Sequence, residues 1–478
     1  MKKFAMILLL VIFSINFVSA ATYYISPTGN DNTGLGTSAN PWATLPKAID
    51  AVQPGDTVFV MPGTYYPTVT MEFHKQGSQD AWITIKGDGG AIFNGSRMST
   101  AGRAILELSR YEDNGQDMYW VIDGIKFLSS TRAGIRLNHV DNVLIKNVEA
   151  GYNNDWGIFS SFSNYLHFIN VDCHHTVLQH GLYLSNSGDN EIVENSTFHD
   201  NNGCGIHHNG DASMGGDGII SNSTIRNNVL YRNGLGGGSA INLDGVTDSK
   251  IYNNLIYDNY AKGIGTYITD GAAAGNNIIA YNTIYSGPGD SVNGIIIKRG
   301  STGNIVINNL IIVGSGQAIE IDADSTSQTI DYNAYYRYSS ANDLFSYEDI
   351  GLYTLSQWKQ QFPSFDAHSI LIDNPSNVFA DINNLDFSLK SSSAAIDKAS
   401  VQYTINSDRI GIFRPQGNGY DIGAYEYSSG TQTYHPADTN QNNIIEMKEL
   451  ISFIGLWKSS QANLSDVLSA LDRWMRGS

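Results

Sequence analysis

A small residue followed by Ile or Leu returns at a nearly fixed distance through the middle of this chain. The apolar members are Ile158, Leu182, Ile206, Ile241, Ile264, Ile295 and Ile319, at intervals of 24, 24, 35, 23, 31 and 24 residues. A period near 24 with two insertions is the mark of a solenoid, in which each unit is stable only against its neighbours. Each period holds two or three short apolar alternations broken by Asn and Gly, with no helical spacing. A strand-only repeat of this length closes into one coil, and coils stack at the strand spacing of about 4.8 Å. The expected fold class is all-β, a parallel β-helix.

Asparagine recurs with the coils, as in "NNLIYDNYAKGIGTY" from Asn253 to Tyr267. In a stacked coil each turn position lies above its equivalent. Asn tolerates the left-handed backbone of a tight corner, and its amide can bond the amides above and below it. Asn147, Asn170, Asn195, Asn228, Asn254, Asn282 and Asn309 are the expected rungs of such a ladder.

Only 15% of the 478 residues are charged and 48 are Gly, which suits short strands and turns. The net charge of −18 argues against a nucleic-acid partner. An acidic polysaccharide stays open, because a local basic residue or a bound cation can receive it. Residues 1–20, "MKKFAMILLLVIFSINFVSA", read as a secretory signal peptide with the mature chain starting near Ala21. The expected location is extracellular or cell-surface, with no membrane span after cleavage. Two cysteines, Cys173 and Cys204, do not make a disulfide framework; one bridge or two buried thiols both fit.

The stretch "YYISPTGNDNTGLGTSANPWATLPKAIDAVQPGDTVFVMPGTYY" resembles the cap segment that opens many secreted right-handed parallel β-helix proteins of the pectate-lyase-like group. The resemblance implies that "PWATLPKAIDAV" is a helix plugging the open end and "GDTVFVMPGTY" the first coil. Residues Ser393 to Tyr427 are similar to the closing segment of many exported β-helix proteins. The β-helix domain would then span 21–427, with 331–386 as an excursion on the side of the stack, including a short helix in "YTLSQWKQQF".

After a polar linker, 428–437, residues 438–478 carry a calcium-loop pattern: Asp438, Asn440, Asn442, the Ile444 carbonyl, Glu446 and Glu449 fall at the six ligand positions. Position six holds Asn443 in place of Gly. "LISFIGLW" and "VLSALDRW" share their apolar spacing and closing Trp, so the tail looks like a dockerin or EF-hand-type module. That implies calcium as a cofactor and a cohesin-like or cell-surface partner; a calcium-stapled cap is the alternative.

If the aligned Ile and Leu point inward, the next residue points outward, and so does the one two further on. The first outward column reads Phe159, Tyr183, His207, Asn242, Gly265, Ile296, Glu320; the second reads Ser161, Ser185, Asn209, Asp244, Tyr267, Lys298, Asp322. An eleven-residue insertion beside them adds Asp211 and Asp217. A long straight face matches a long straight glycan. β-Elimination on a uronate needs a base for the C5 proton and a cation on the carboxylate. By analogy with β-helix lyases, Lys298 is the base candidate with Arg299 beside it, and Asp244, Asp211 and Asp217 are calcium candidates. Tyr183, His207, Asn209, Asn242, Tyr267, Glu320 and Asp322 are candidate substrate contacts. The histidines 174, 175, 180, 199, 207 and 208 cluster on two coils, but no spacing matches a zinc pattern, and His207 reads as a sugar contact first.

The expected function is a secreted polysaccharide lyase acting on uronate glycans with calcium. Two readings stay beside it: a non-catalytic surface glycan binder, and a glycoside hydrolase pairing Asp244 with Glu320 or Asp322.

Overall fold

The computed structural model describes residues 20–111, 117–339, 343–347, 351–428, 435–439 and 445–459, with scattered positions beyond. The coil from Lys250 shows how the sequence folds. Three short strands, Lys250–Tyr252, Leu255–Tyr257 and Lys262–Tyr267, form its walls. Ile251, Ile256 and Ile264 are buried from these walls. Asn253-Asn254 and Asp258-Asn259 turn the two corners between them. The coils stack as parallel strands into a 22-stranded sheet that covers two walls and a 12-stranded sheet that forms the third.

The third wall carries the aligned apolar column. Ile158, Leu182, Ile206, Ile241, Ile264, Ile295 and Ile319 are successive partners in register, as the period predicts. All seven are buried in one elongated core. The outward residues follow the same register, from Phe159 through Tyr183, His207, Asn242, Gly265 and Ile296 to Glu320.

The asparagines divide into two adjacent columns, which corrects the single ladder expected from the sequence. Asn147, Asn170, Asn195, Asn227, Asn253 and Asn308 adopt φ between 51° and 60° and make the left-handed corner. One residue later, Asn228, Asn254, Asn282, Asn309 and Asn333 form the buried ladder, each Nδ2 donating to the next Oδ1 at 2.9–3.1 Å. Asn147, Asn170 and Asn195 therefore belong to the corner and not to this ladder. Asn170 Nδ2 donates to Asn147 Oδ1 at 2.8 Å, so these two corner residues make a short amide contact of their own, separate from the buried ladder.

Helix α1, Leu45–Ala51, is capped by Thr44 and buries Leu45, Ala48 and Ile49 in the core beside the first strands. The stretch 331–386 is an excursion on the side only in its later part. Ala334–Arg337 continues the stack. Helix α2, Leu355–Gln361, places Leu355 and Trp358 in the main core, with Trp358 stacked on Phe345 at 5.0 Å. Ile372, Val378 and Phe379 pack outside that core against Leu255 and Leu310, and the segment 393–427 lies along the stack with them. Tyr281 donates to the Tyr403 carbonyl, and the Gly423 amide donates to the Asn308 carbonyl. Arg414 anchors it, buried, 2.9 Å from Glu426 and over the Tyr281 ring. Cys173 and Cys204 are free and buried. No helix among the described residues is long and apolar enough to cross a membrane.

In the tail, helix α3, Met447–Lys458, packs Leu450 and Phe453 with Ala437 and Ile445 in a small separate core. Glu449 accepts from the Thr439 amide and hydroxyl at 2.8 Å and from the Glu446 amide. These bonds bring the two ends of the expected calcium loop together, with Asp438 buried beside them. Asn440, Asn442 and Ile444 lie outside the described residues, as does much of the second expected helix.

Candidate functional site

The outward face of the 12-stranded sheet has two halves. The first is aromatic. Trp156, Phe159 and Tyr183 contact one another, and Tyr183 stacks on His207 with ring centroids 4.9 Å apart. Asn209 donates to the Tyr183 hydroxyl at 3.0 Å and so fixes the ring edge-on to the coil. Burial pushes the Tyr183 phenol up.

The second half is a cleft of about 390 Å³ lined by Gly238, Ser239, Asn242, Lys262, Tyr267, Thr269, Ile296, Lys298, Arg299 and Glu320. Gly265 lets the cleft wall pack closely, Ser239 and Ile296 filling the place of its missing side chain. It holds an outward position between Asn242 and Ile296 where the other coils carry side chains. A Cβ there would come within 2.9 Å of Ser239 Oγ. Asn242 Nδ2 donates to the Tyr267 hydroxyl at 2.5 Å, and Ser239 donates to Asn242 Oδ1. Burial pushes the Tyr267 phenol up to about 12, so it stays protonated at neutral pH.

Lys298 lies one coil beyond Tyr267, its amide bonded to the Thr266 carbonyl. Its Nζ is 2.6 Å from Glu320 Oε1 and 3.6 Å from Asp322 Oδ1. Glu320 is held in turn by Asn293 Nδ2 at 2.6 Å. Two carboxylates in contact favour the ammonium form of a lysine. Arg299 is exposed, adopts a φ of 52° and donates from Nη1 to Thr269 Oγ1. Three cationic side chains thus line one cleft of a strongly acidic chain.

Asp244 is buried. Its carboxylate accepts from the amides of Thr269, Asp270 and Gly271 at 2.8, 3.1 and 3.4 Å, and it does not line the cleft. Burial pushes this carboxyl up despite those bonds. Asp211 accepts from the Ser213 amide and hydroxyl, and the exposed Asp217 accepts from the Ile219 amide. Asp211, Asp217 and Asp244 therefore each serve a loop, and as they stand they do not fit a shared cation. Among the described residues, the groups of three side chains that bring ligand atoms within 4.8 Å of one another are two histidine groups. In one of these, His180 with Cys204 and His207, the sequence groups the two histidines but not the cysteine. Its members come from two coils and the turns that precede them, so no linear spacing marks it.

Two family models account for most of the coil stack. One, described as a Pel9A-like right-handed beta helix region, matches residues 23–177, and another, described as a right-handed beta helix region, matches 179–335. The chain is a pectate-lyase-like right-handed β-helix. Among solved structures, the β-helix is similar to pectate lyase Pel9A, with a TM-score of 0.56 at 17% identity over 85% of this chain and 96% of that one. A second is the complex of XylC with xylose, with a TM-score of 0.50 at 9% identity over 84% and 98%. A rhamnogalacturonan lyase has a TM-score of 0.47 at 16% identity over 70% and 89%. No curated protein sequence matches the chain. At these identities the likeness is one of fold, and the chemistry of this β-helix has to be argued from its own face.

Proposed function

We propose that this β-helix is an exported carbohydrate-active protein that cleaves a uronate-containing polysaccharide by β-elimination at the cleft around Lys298. The observation that carries the reading is the convergence of Lys262, Lys298 and Arg299 on one cleft beside Tyr267, on a chain of net charge −18. A strip of aromatic rings leads into that cleft, as a bound sugar chain requires. In this reading Arg299, the exposed guanidinium, receives the uronate carboxylate. Lys298, after giving its own proton to solvent, takes the C5 proton while Glu320 holds it in position; the C4–O4 bond breaks as the C4–C5 double bond forms, and the departing O4 takes a proton from water. Tyr267, kept protonated, is placed to hydrogen-bond the sugar. No step is routed through a cation on this face.

The ion pair between Lys298 and Glu320 favours a second reading, a surface glycan binder in which Lys298 stays an ammonium and only pairs with the uronate. The hydrolase reading loses support from the engagement of Asp244 by three amides. We also read residues 1–20 as a cleaved export signal, α1 as the N-terminal cap, and the tail as a calcium module held by Asp438, Glu446 and Glu449 with the loop between them.

Absorbance of unsaturated products decides between cleavage and binding. The chain and its Lys298→Ala variant are incubated with pectate, alginate and glycosaminoglycans. Product from the wild type and none from the variant supports the lyase and its base. Retention of the uronate glycan without product moves the assignment to a binder, and no interaction with any uronate overturns both.

A further inference from the structure

His180, Cys204 and His207 lie beside the aromatic half of the face and take no part in the proposed elimination. Their ligand atoms all come within 4.8 Å of one another. His180 precedes the strand Leu182–Ser185, Cys204 precedes the next strand, Ile206–Asn209, and His207 sits on that strand. Stacking of the two coils brings all three to the same corner of the face.

The hydrogen bonding inside this group is incomplete. His180 Nδ1 accepts from the Cys204 amide at 2.9 Å, so a neutral His180 carries its proton on Nε2. That Nε2 faces His207 Nδ1 at 3.1 Å. His207 then carries its proton on Nε2, which is buried and has no hydrogen-bond partner. The opposite tautomers would set a His180 N–H against the Cys204 N–H. Each assignment leaves a buried donor stranded or two donors opposed, both of which are costly arrangements.

The surroundings suit a metal ligand set. The two facing nitrogens are separated by 3.1 Å, close to the edge of about 3.3 Å that Zn–N bonds of 2.0–2.1 Å subtend at a tetrahedral ion. Cys204 Sγ accepts a hydrogen bond from the Ser239 amide at 3.5 Å, a contact that steadies a thiolate. The sulfur packs against Gly238, where a Cβ would come within 2.5 Å of it. Gly238 and Ser239 also line the cleft, as does Asn242, the register partner of His207.

We propose that His180, Cys204 and His207 bind a divalent ion of the zinc class at the edge of the cleft. On binding, the Cys204 thiol gives its proton to solvent. His180 ligates through Nε2 and His207 through Nδ1, so the bond between these nitrogens and the bond from the Cys204 amide to His180 Nδ1 are both given up as the His180 proton moves to Nδ1. Two neutral hydrogen bonds are lost and the His180 and Cys204 N–H groups are left opposed, offset by one thiolate and two imidazole bonds to the metal. Three protein ligands leave a fourth position open, as in zinc sites that take a water or substrate oxygen.

The test uses the whole chain, stripped with a chelator and titrated with Co²⁺ alone. The expected result is one tetrahedral cobalt site with a thiolate-to-metal charge-transfer band, displaced by one equivalent of Zn²⁺. Cys204→Ser and His207→Gln should each remove that band, whereas Cys173→Ala, which changes the other buried thiol, should keep it. X-ray absorption of the zinc-loaded wild type needs no variant and should find one sulfur and two imidazole ligands. Cobalt or zinc bound with oxygen neighbours alone, as the tail's calcium-type loop would give, overturns the proposal. So does a wild type that takes up no ion, or a sulfur band that survives Cys204→Ser. These readouts do not depend on glycan cleavage, so failure of the lyase reading and failure of this site are separable.

Discussion

The buried corner and the outward face belong to the same coils, yet they are written in opposite ways. Down the corner the residue is the same five times, Asn228, Asn254, Asn282, Asn309 and Asn333. Down the face it changes on every coil, from Phe159 to Glu320. Sameness at the corner is a structural demand: each amide must meet an identical amide one strand spacing away. Variety on the face is permitted, because no outward side chain has to match the one on the next coil. The comparison teaches that in a stacked fold, repetition marks what holds the coils and its interruption marks what the coils present.

The largest effect should come from an acid buried among the turns of the stack. Glu191 heads a second buried column that continues through Ser223, Ser249, Asn277 and Asn304. Ser223 donates to its carboxyl at 2.6 Å, and burial pushes that carboxyl up to about 8 from an ordinary 4.5. Below pH 4.5 both folded and unfolded chains hold this proton. As pH rises towards 8 the unfolded chain releases it and the folded one does not, so stability falls. Glu191→Gln replaces the acid by an amide and should remove this decline, gaining about 4 kcal/mol at pH 8 and little at pH 4. Urea unfolding across that range measures it; parallel curves for the two proteins would show that Glu191 ionises without strain.

Asn282 uses its whole amide. Its Nδ2 donates to Asn309 Oδ1 and the Ile251 carbonyl, and its Oδ1 accepts from the Asn254 amide and side chain. Asn282→Ala strands these partners inside the core and should cost about 3 kcal/mol, read as a lower urea midpoint, with glycan affinity unchanged. A loss below 1 kcal/mol would mean that the column repeats for another reason.

On the face the effects should reverse, large in function and small in stability. Lys298→Ala should lower the rate of product formation at least about 100-fold, or about 2.7 kcal/mol. The melting temperature should hardly move, since a partly exposed ion pair contributes about 1 kcal/mol or less. A collapse in stability with activity intact would make Lys298 a strut. Gly265→Val pushes the cleft-lining Ser239 and Ile296 out of place and should raise KM about tenfold, near 1.4 kcal/mol, with kcat less affected. An unchanged KM would place the sugar elsewhere on the sheet.

The coil-to-coil register was legible because period and alternation leave little freedom. Once Ile158 and Leu182 are both inward and 24 residues apart, the outward columns follow by counting. Columns that run through intact strands therefore came out residue by residue, including Tyr183 beside His207 and Asp244 beside Tyr267. The asparagine phase did not, because adjacent Asn pairs such as Asn253-Asn254 read alike in sequence while their backbones differ in sign of φ.

What the sequence determined by itself is the stacked β-helix, its register and the order of side chains along its face, since these depend on local alternation and a repeated length. What only the tertiary structure decided lies where loops and turns return to the coils. Three loop amides take Asp244 away from the cleft. Residues 331–386 supply a strand to the stack and a helix to the core. A turn histidine and a turn cysteine on neighbouring coils meet His207. Loop conformation follows from contacts between segments far apart in the chain, and no periodicity encodes them.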